Sequence, residues 1–341
     1  MSSQPGTGNH FGQGGVSDDA VIPGGTLLAS PDFDRTTFST APREGRGTAR
    51  GHHGELLQGV FEWSGGLHRG LVTLPCPTMS TEVTVRITEG APAWTVDPPW
   101  KTKALRAALA TAGILGTGAA GGTVSVRSNI PSGFGMGSST SDVTATIRAV
   151  LNAFGRDLPT SRIARIAVEA ERAADPLMFD RMLLFAHREG MIIEDLHVRM
   201  PPMKVLGFVA RPDPVETLAF TPARYSSWEI ECFRALRGLL RRGAREGSVQ
   251  ALGRVATASA RLNQRFLRVD RFASLLQVMA DSGAAGIQVA HSGSVVGLVF
   301  DAADPDLARK TALASRGLLR VGISRTWEFC TEGDDEHLPD P

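Results

Sequence analysis

Apolar positions along this chain follow two rhythms, and the change from one to the other marks its predicted elements. Val83, Val85 and Ile87 alternate with polar neighbours over Thr81–Ile87, and Val124 and Val126 do the same over Thr123–Arg127. A period of two gives one apolar face, so both stretches predict half-buried strands. From Ser139 the spacing turns helical. Val143, Ile147, Val150, Leu151 and Phe154 fall at i, i+4, i+7, i+8 and i+11, one stripe of a helix. A second helix is predicted after Pro159, with Ile163, Ile166, Ala167 and Ala170 on one side and Thr160 or Ser161 as its cap. Asp175-Pro176 predicts the start of a third, since Asp caps well and Pro suits the first helical position. Beyond Pro201-Pro202 the pattern reads as a strand over Lys204–Ala210, then long helices from Trp228 to Asp281. Two β-rich runs follow, Ala285–His291 and Ser294–Phe300, joined by Ser292-Gly293. Strands and helices mix in both halves, which defines an α+β chain.

A length of 341 residues is too great for one ordinary core and predicts two domains. Residues 1–45 are rich in Gly, Ser, Thr and Pro without a sustained period, and are predicted to be a mobile tail. The double proline sets the boundary between an N-terminal domain over 46–200 and a C-terminal domain over 201–330. Residues 331–341 carry five acidic side chains and one leucine, a solvated end.

Charge and composition remove several function classes. Lys+Arg number 36 against 35 for Asp+Glu, so the net charge of +1 creates no field for nucleic acid or an anionic membrane. No apolar run approaches the roughly 18 residues of a membrane span. No basic segment followed by an apolar one marks a secretory leader, so a cytoplasmic location is expected. Cys76, Cys232 and Cys330 are odd in number and far apart, which fits neither a CxxC metal site nor a disulfide framework. A soluble protein acting on a small molecule is the expectation, with no nucleic-acid or membrane partner; a homodimer stays open.

The chemistry concentrates in Ile130-Pro131-Ser132-Gly133-Phe134-Gly135-Met136-Gly137-Ser138-Ser139-Thr140-Ser141. This stretch leaves a strand, places three glycines in five residues and opens a helix with hydroxyl side chains. Glycines let the backbone take positive φ and approach a bulky ligand closely. A helix start adds unpaired N–H groups and the positive dipole end, which suit phosphate. Ser138, Ser139 and Thr140 can ligate a phosphate or a magnesium ion. Two better-known phosphate loops do not fit. No lysine follows a glycine, as a P-loop requires, and counting three residues from Gly135 reaches Ser138 where a dinucleotide fingerprint needs glycine. A glycine-rich turn with a serine cap is the plain alternative.

At this loop the sequence resembles the GHMP kinase superfamily, whose second motif is a proline, a glycine-rich turn and a Gly-Ser-Ser helix start. Within it, the L-threonine kinases of cobalamin assembly are similar over three blocks in the same order. These are Gly54-Glu55-Leu56-Leu57-Gln58-Gly59, Val126–Pro131 leading to Ser138-Ser139-Thr140, and Ala290-His291-Ser292-Gly293-Ser294-Val295-Val296-Gly297-Leu298. The resemblance implies a ribosomal protein S5 domain 2-like N-terminal domain that binds ATP and a ferredoxin-like C-terminal one. It further implies ATP phosphates across Pro131, Gly133, Gly135, Gly137, Ser138, Ser139 and Thr140, with Mg2+ held by Ser138 or Ser139 and by Glu169 or Glu171. Asp175 matches the family's aspartate beside the acceptor hydroxyl, and with Ser139 it forms the implied catalytic pair. The chain departs from the threonine kinases around this position, with Arg172, Ala173, Ala174 and Pro176, neighbours expected to line the acceptor pocket.

Glu55 and Gln58, read locally as a glycine-flanked polar turn, become implied substrate contacts, as do His291, Ser292 and Gly293. The adjacent His52 and His53 point apart with no third ligand nearby in sequence, and are expected at the surface. The arginine run from Arg237 to Arg245 reads as a solvated helix face. The implied activity is ATP-dependent phosphorylation of a hydroxyl on an amino acid or amino alcohol, first L-threonine. Alternatives are another hydroxylated specialised-metabolite intermediate as acceptor, or a catalytically silent relative that binds a nucleotide or metabolite.

Overall fold

The computed structural model describes residues 43–91, 93–117, 120–211 and 223–332. The predicted tail lies outside the described residues up to 42, and Arg43–Gly45 already belong to the first strand. The acidic end lies outside them from residue 333.

A long hairpin forms the spine. Strand β1 (Arg43–Trp63) pairs antiparallel with β2 (Gly66–Glu89) through Ser64-Gly65, both at positive φ as a tight hairpin turn requires. On one side β2 continues to β4 (Ala120–Ser128) and then to β3 (Trp94–Asp97). On the other, β1 meets β8 (Gly286–Val289) at Glu55 opposite Val289. The sheet then runs through β9 (Val295–Asp301) and β7 (Met203–Val209) to β10 (Thr326–Cys330). The small pair β5 (Leu183–Ala186) and β6 (Met191–Asp195) joins at β2. Hydrogen bonding is thus continuous from one half of the chain to the other, across the double proline.

Helices cover the sheet. Small residues of α1 (Thr102–Ile114) and α2 (Ser138–Ala153) pack on Ala49, Val83, Val85, Val124 and Val126. The predicted stripe holds: Val143, Ile147, Val150 and Leu151 are buried, with Ile147 and Leu151 packing against Ile163 and Ile166 of α3 (Thr160–Glu171). Helix α4 (Ser227–Glu246) and α5 (Val249–Asn263) bury Phe233, Leu240 and Val255 against Leu56, Leu57 and Phe61 of β1. The pair α6 (Phe272–Ser282) and α7 (Leu307–Arg320) closes the core around Ile287 and Leu298. The arginine run lies on α4, where Arg237 and Arg241 both pair with Glu194. Among the described residues no helix is long and apolar enough to cross a membrane.

Two local expectations change. Helix α3 starts at Thr160 with Pro159 as N-cap, and neither Thr160 nor Ser161 caps it. No helix opens at Asp175-Pro176. Arg172 ends α3 in the left-handed conformation, and Ala174, Met178 and Met182 then draw the chain back into the core as a turn, not a helix.

Two glycines of β1 set its distance from α2. A Cβ on Gly47 would lie 2.2 Å from the Ala145 carbonyl oxygen, and one on Gly45 would lie 2.2 Å from that of Ala149. Backbone cannot yield as a side-chain tip can. Gly47→Val should therefore cost at least about 1–3 kcal/mol, the usual range for overpacking, lowering the melting temperature by several degrees. Gly113→Ala, on an open face of α1, should be neutral or slightly stabilising. Equal melting temperatures for the Gly47→Val and parent chains would contradict the close approach.

Candidate active site

Four segments meet at the N-terminus of α2: the irregular centre of β1, the glycine loop, the turn through Asp175, and the β8–β9 connection. The register of β1 against β2 shifts between Arg50 and Gly51, between His52 and Glu55, and between Glu55 and Leu57. Such bulges re-aim side chains. Here they follow a change in burial, from alternation before Arg50 to continuous burial over Gly51–Gly59.

The glycine loop is braced from both sides. His52 N–H donates to the Met136 carbonyl (3.2 Å), and Ser292 Oγ donates to that of Phe134 (2.9 Å). Gly133, Gly135 and Gly137 all have positive φ. A Cβ on Gly135 would lie 2.4 Å from Ser292 Oγ, and one on Gly137 would lie 2.5 Å from the His52 ring. These two glycines are needed by protein neighbours, a reason the sequence did not suggest. Gly137 is also the N-cap of α2 and no side chain caps that helix, so its first N–H groups and dipole end suit an anion.

Behind the loop, Ser139 Oγ donates to Glu171 Oε2 at 2.5 Å, and Lys103 Nζ lies 3.7 Å from the same oxygen. Glu171 Oε1 is buried without a hydrogen-bond partner among the described residues. Burial pushes the Glu171 carboxyl up to about 7, against the bonds from Ser139 and Thr140. A hydroxyl beside a carboxylate with a spare oxygen is a donor set that fits a hard divalent cation such as magnesium. Glu169, two residues earlier on α3, is exposed and does not join this group. Ser138 is buried, with Oγ 3.5 Å from Ser132 Oγ, and Pro131 is exposed at the loop entrance.

Thr140 turns the other way. Its Oγ1 donates to Asp175 Oδ2 (3.4 Å) and accepts from Asp175 N–H (3.3 Å). The same Oδ2 lies 3.1 Å from His52 Nε2. His52 is therefore no surface residue but a buried one, and His53 is wholly buried. His53 lies against the rings of Trp327 and Phe329, accepting from Gln288 at Nδ1. Burial disfavours charge on His52, but Asp175 outweighs it and pushes the imidazole up to about 9. Burial likewise opposes ionisation of Asp175, yet His52 holds its carboxyl at about 2. Gly54 N–H meets Nδ1 in the neutral ring (3.1 Å); protonation there exchanges that bond for attraction to Glu55 Oε1 at 3.8 Å.

Glu55 and Gln58 do not form a turn; both are buried within β1. Burial pushes Glu55 up to about 8, and neither of its carboxyl oxygens has a hydrogen-bond partner among the described residues. Gln58 Oε1 accepts from His291 Nδ1 (2.8 Å), and His291 meets His187 ring to ring at 5.5 Å. Ser292 is spent on the loop, and Gly293 makes the turn, donating to Ala290 O. Sequence reasoning missed His52, His187 and Lys103; the His52-His53 pair was visible, but nothing local marked it as interior.

The architecture is that of the GHMP kinases, and residues 102–179 match the family described as "GHMP kinases N terminal domain", a span that includes the glycine loop, Glu171 and Asp175. The chain is 32% identical over 201 residues to the L-threonine kinase of Salmonella typhimurium, covering 58% of this chain and 66% of that one, just under two thirds. Homoserine kinase from Cytophaga hutchinsonii shares the fold at a TM-score of 0.64 and 15% identity, covering 87% of this chain and 96% of its own. A chain described as MDDEF, solved in complex with MVAPP, AMPPCP and magnesium, matches at 0.59 with 14% identity, over 84% and 97%.

The titrations predict how stability responds to pH. His52 binds its proton more tightly folded than unfolded, so its contribution is complete below about 6.5 and is lost as pH rises through about 9. Glu55 and Glu171, raised to about 8 and about 7, also lose stability as pH rises toward those values. Melting temperature should fall from pH 6.5 to 9.5, and the part above pH 8 should flatten in His52→Gln. A His52→Gln profile parallel to the parent's would contradict the assignment.

Proposed function

We propose that this chain is an ATP-dependent, magnesium-requiring kinase that phosphorylates a hydroxyl of a small amino acid, first L-threonine. One observation carries the reading: Asp175, kept ionised by His52, is joined through Thr140 to the same helix turn whose Ser139 bonds Glu171. An anion cradle and a hydroxyl-accepting carboxylate thus share one rigid element.

The start of α2 and the loop Gly133–Gly137 hold the phosphates, with N–H groups and the dipole end facing them. Ser139 and Glu171 would hold magnesium, which when bound would neutralise phosphate charge. Phosphoryl transfer through a loose transition state needs alignment more than early proton removal. Asp175 suits that role. A carboxyl held at about 2 is a weak base but a good acceptor, so Oδ1 or Oδ2 takes the acceptor's O–H hydrogen bond and aims its oxygen. His52 fixes the carboxylate and Thr140 fixes the turn that carries it. The proton passes to Asp175 late, as the hydroxyl oxygen gains its bond to the γ-phosphorus and the bond from that phosphorus to the bridging oxygen breaks, with ADP leaving. The match of residues 102–179, which include the loop, Glu171 and Asp175, to the GHMP kinase N-terminal domain, and the 32% identity to an L-threonine kinase over 201 residues, support this reading.

The test is acceptor-dependent ADP release with ATP, magnesium and a panel of hydroxy amino acids. Asp175→Asn keeps the side-chain shape and an oxygen for His52 but removes the charge, and should lower the maximal rate by roughly 10²-fold in a chain that still folds, with a lower melting temperature near pH 7 because the His52 ion pair is lost. No acceptor-dependent ADP release from the parent chain, or full activity in Asp175→Asn, would contradict the reading.

A further inference from the structure

A cavity of about 310 Å3 lies beside His187 and His291. Both histidines line it, and both interact electrostatically with the Asp175 carboxylate. None of Arg172, Ala173, Ala174 or Pro176 lines it, although the sequence placed the acceptor pocket there. Among the described residues its charged lining is basic: Arg69, Arg188 and Arg265, with no Asp or Glu. Arg265 is committed to Glu229 at 2.6 Å. Arg69 donates to the Ala223 carbonyl at 2.5 Å but enters no ion pair among the described residues. Arg188, exposed at the cavity wall, has neither a hydrogen bond nor an ion pair among them.

Two guanidinium groups without an ion-pair partner among the described residues line one small cavity, a setting that suits an anionic group. A second observation points the same way. His187 is buried and its Nδ1 has no hydrogen-bond partner among the described residues, although the ring lines the cavity. His291 donates from Nδ1 to Gln58, which leaves its Nε2 as an acceptor. The cavity therefore offers guanidinium donors together with two histidines that also interact with the Asp175 carboxylate.

We propose that Arg69 and Arg188 hold the carboxylate of the acceptor, so that the substrates are hydroxylated amino acids and amino alcohols are refused. The inference rests on the kinase reading for the position of the reacting hydroxyl at Asp175. A planar guanidinium matches a carboxylate through two parallel N–H bonds, geometry that an ammonium ion cannot supply. A zwitterion aligns with the cavity, whereas an amino alcohol brings only a cation toward two arginines.

Calorimetry on the full chain with L-threonine and 1-amino-2-propanol, its carboxylate-free counterpart, tests this. L-threonine should bind at least about tenfold more tightly, the equivalent of about 1.4 kcal/mol. Arg188→Gln, at an exposed position without structural partners, should remove most of that preference, and Arg188→Lys should restore part of it. The affinity for 1-amino-2-propanol should not change. Equal binding of the two probes, binding of neither, or an L-threonine affinity unchanged in both Arg188→Gln and Arg69→Gln would overturn the proposal. The kinase reading fails separately: a chain that binds L-threonine through Arg188 but releases no ADP retains the anchor and loses the activity. Conversely, ADP release with 1-amino-2-propanol as readily as with L-threonine keeps the kinase and removes the anchor.

Discussion

A buried imidazole between three distant pieces of chain is the contact on which the site depends. As a cation His52 reaches the glycine loop by its backbone N–H to Met136, Glu55 of its own strand by Nδ1 at 3.8 Å, and the Asp175 turn by Nε2. A polar ring taken out of water costs free energy unless its nitrogens are matched. Each is matched here by a different segment, so placing the ring places all three. Gly137 completes the contact, because any side chain at that position would strike the imidazole. The loop's conformation and the carboxylate's position are consequently set together.

Environment then sorts three buried or nearly buried carboxyls into different states. Asp175 stays ionised because His52 faces it; Glu55 and Glu171, equally desolvated but less well compensated, are pushed toward the neutral form. Pairs of acids driven apart in this way are how one site performs several tasks at one pH. Glu171, at about 7, is poised to ionise when a cation arrives, since the cation supplies the missing compensation.

Much of this was legible in the sequence, and the exceptions have physical reasons. The stripe of α2, the strands around Val83 and Val124 and the glycine loop showed because each is a local pattern. Strand β1 did not, since it carries five glycines, residues depleted in strands. The structure accounts for each: Gly45 and Gly47 admit α2, Gly51 admits the loop, Gly54 admits β8 and Gly59 admits Phe233. The histidines of β1 read as surface residues because burial over Gly51–Gly59 comes from distant elements. Spacing left Glu169 and Glu171 equal; they are two apart on a helix, so only one can face Ser139. The helix expected at Asp175 failed because a good capping pair lost to the burial of Ala174 and Met178. Arg69 and Arg188 carried no signal, being joined only by the folded hairpin and the β5–β6 turn.

The central claim is that His52 is a cation because Asp175 is an anion. The direct measurement is the side-chain nitrogen shifts of His52, followed by NMR across pH in the parent chain and in Asp175→Asn. The account predicts a His52 titration near pH 9 in the parent. In Asp175→Asn, where desolvation acts with little to oppose it, the titration should fall below about 6.5, the value for an ordinary histidine. A His52 ring that is neutral at pH 7 in the parent chain, or that titrates at the same pH in both proteins, would contradict it.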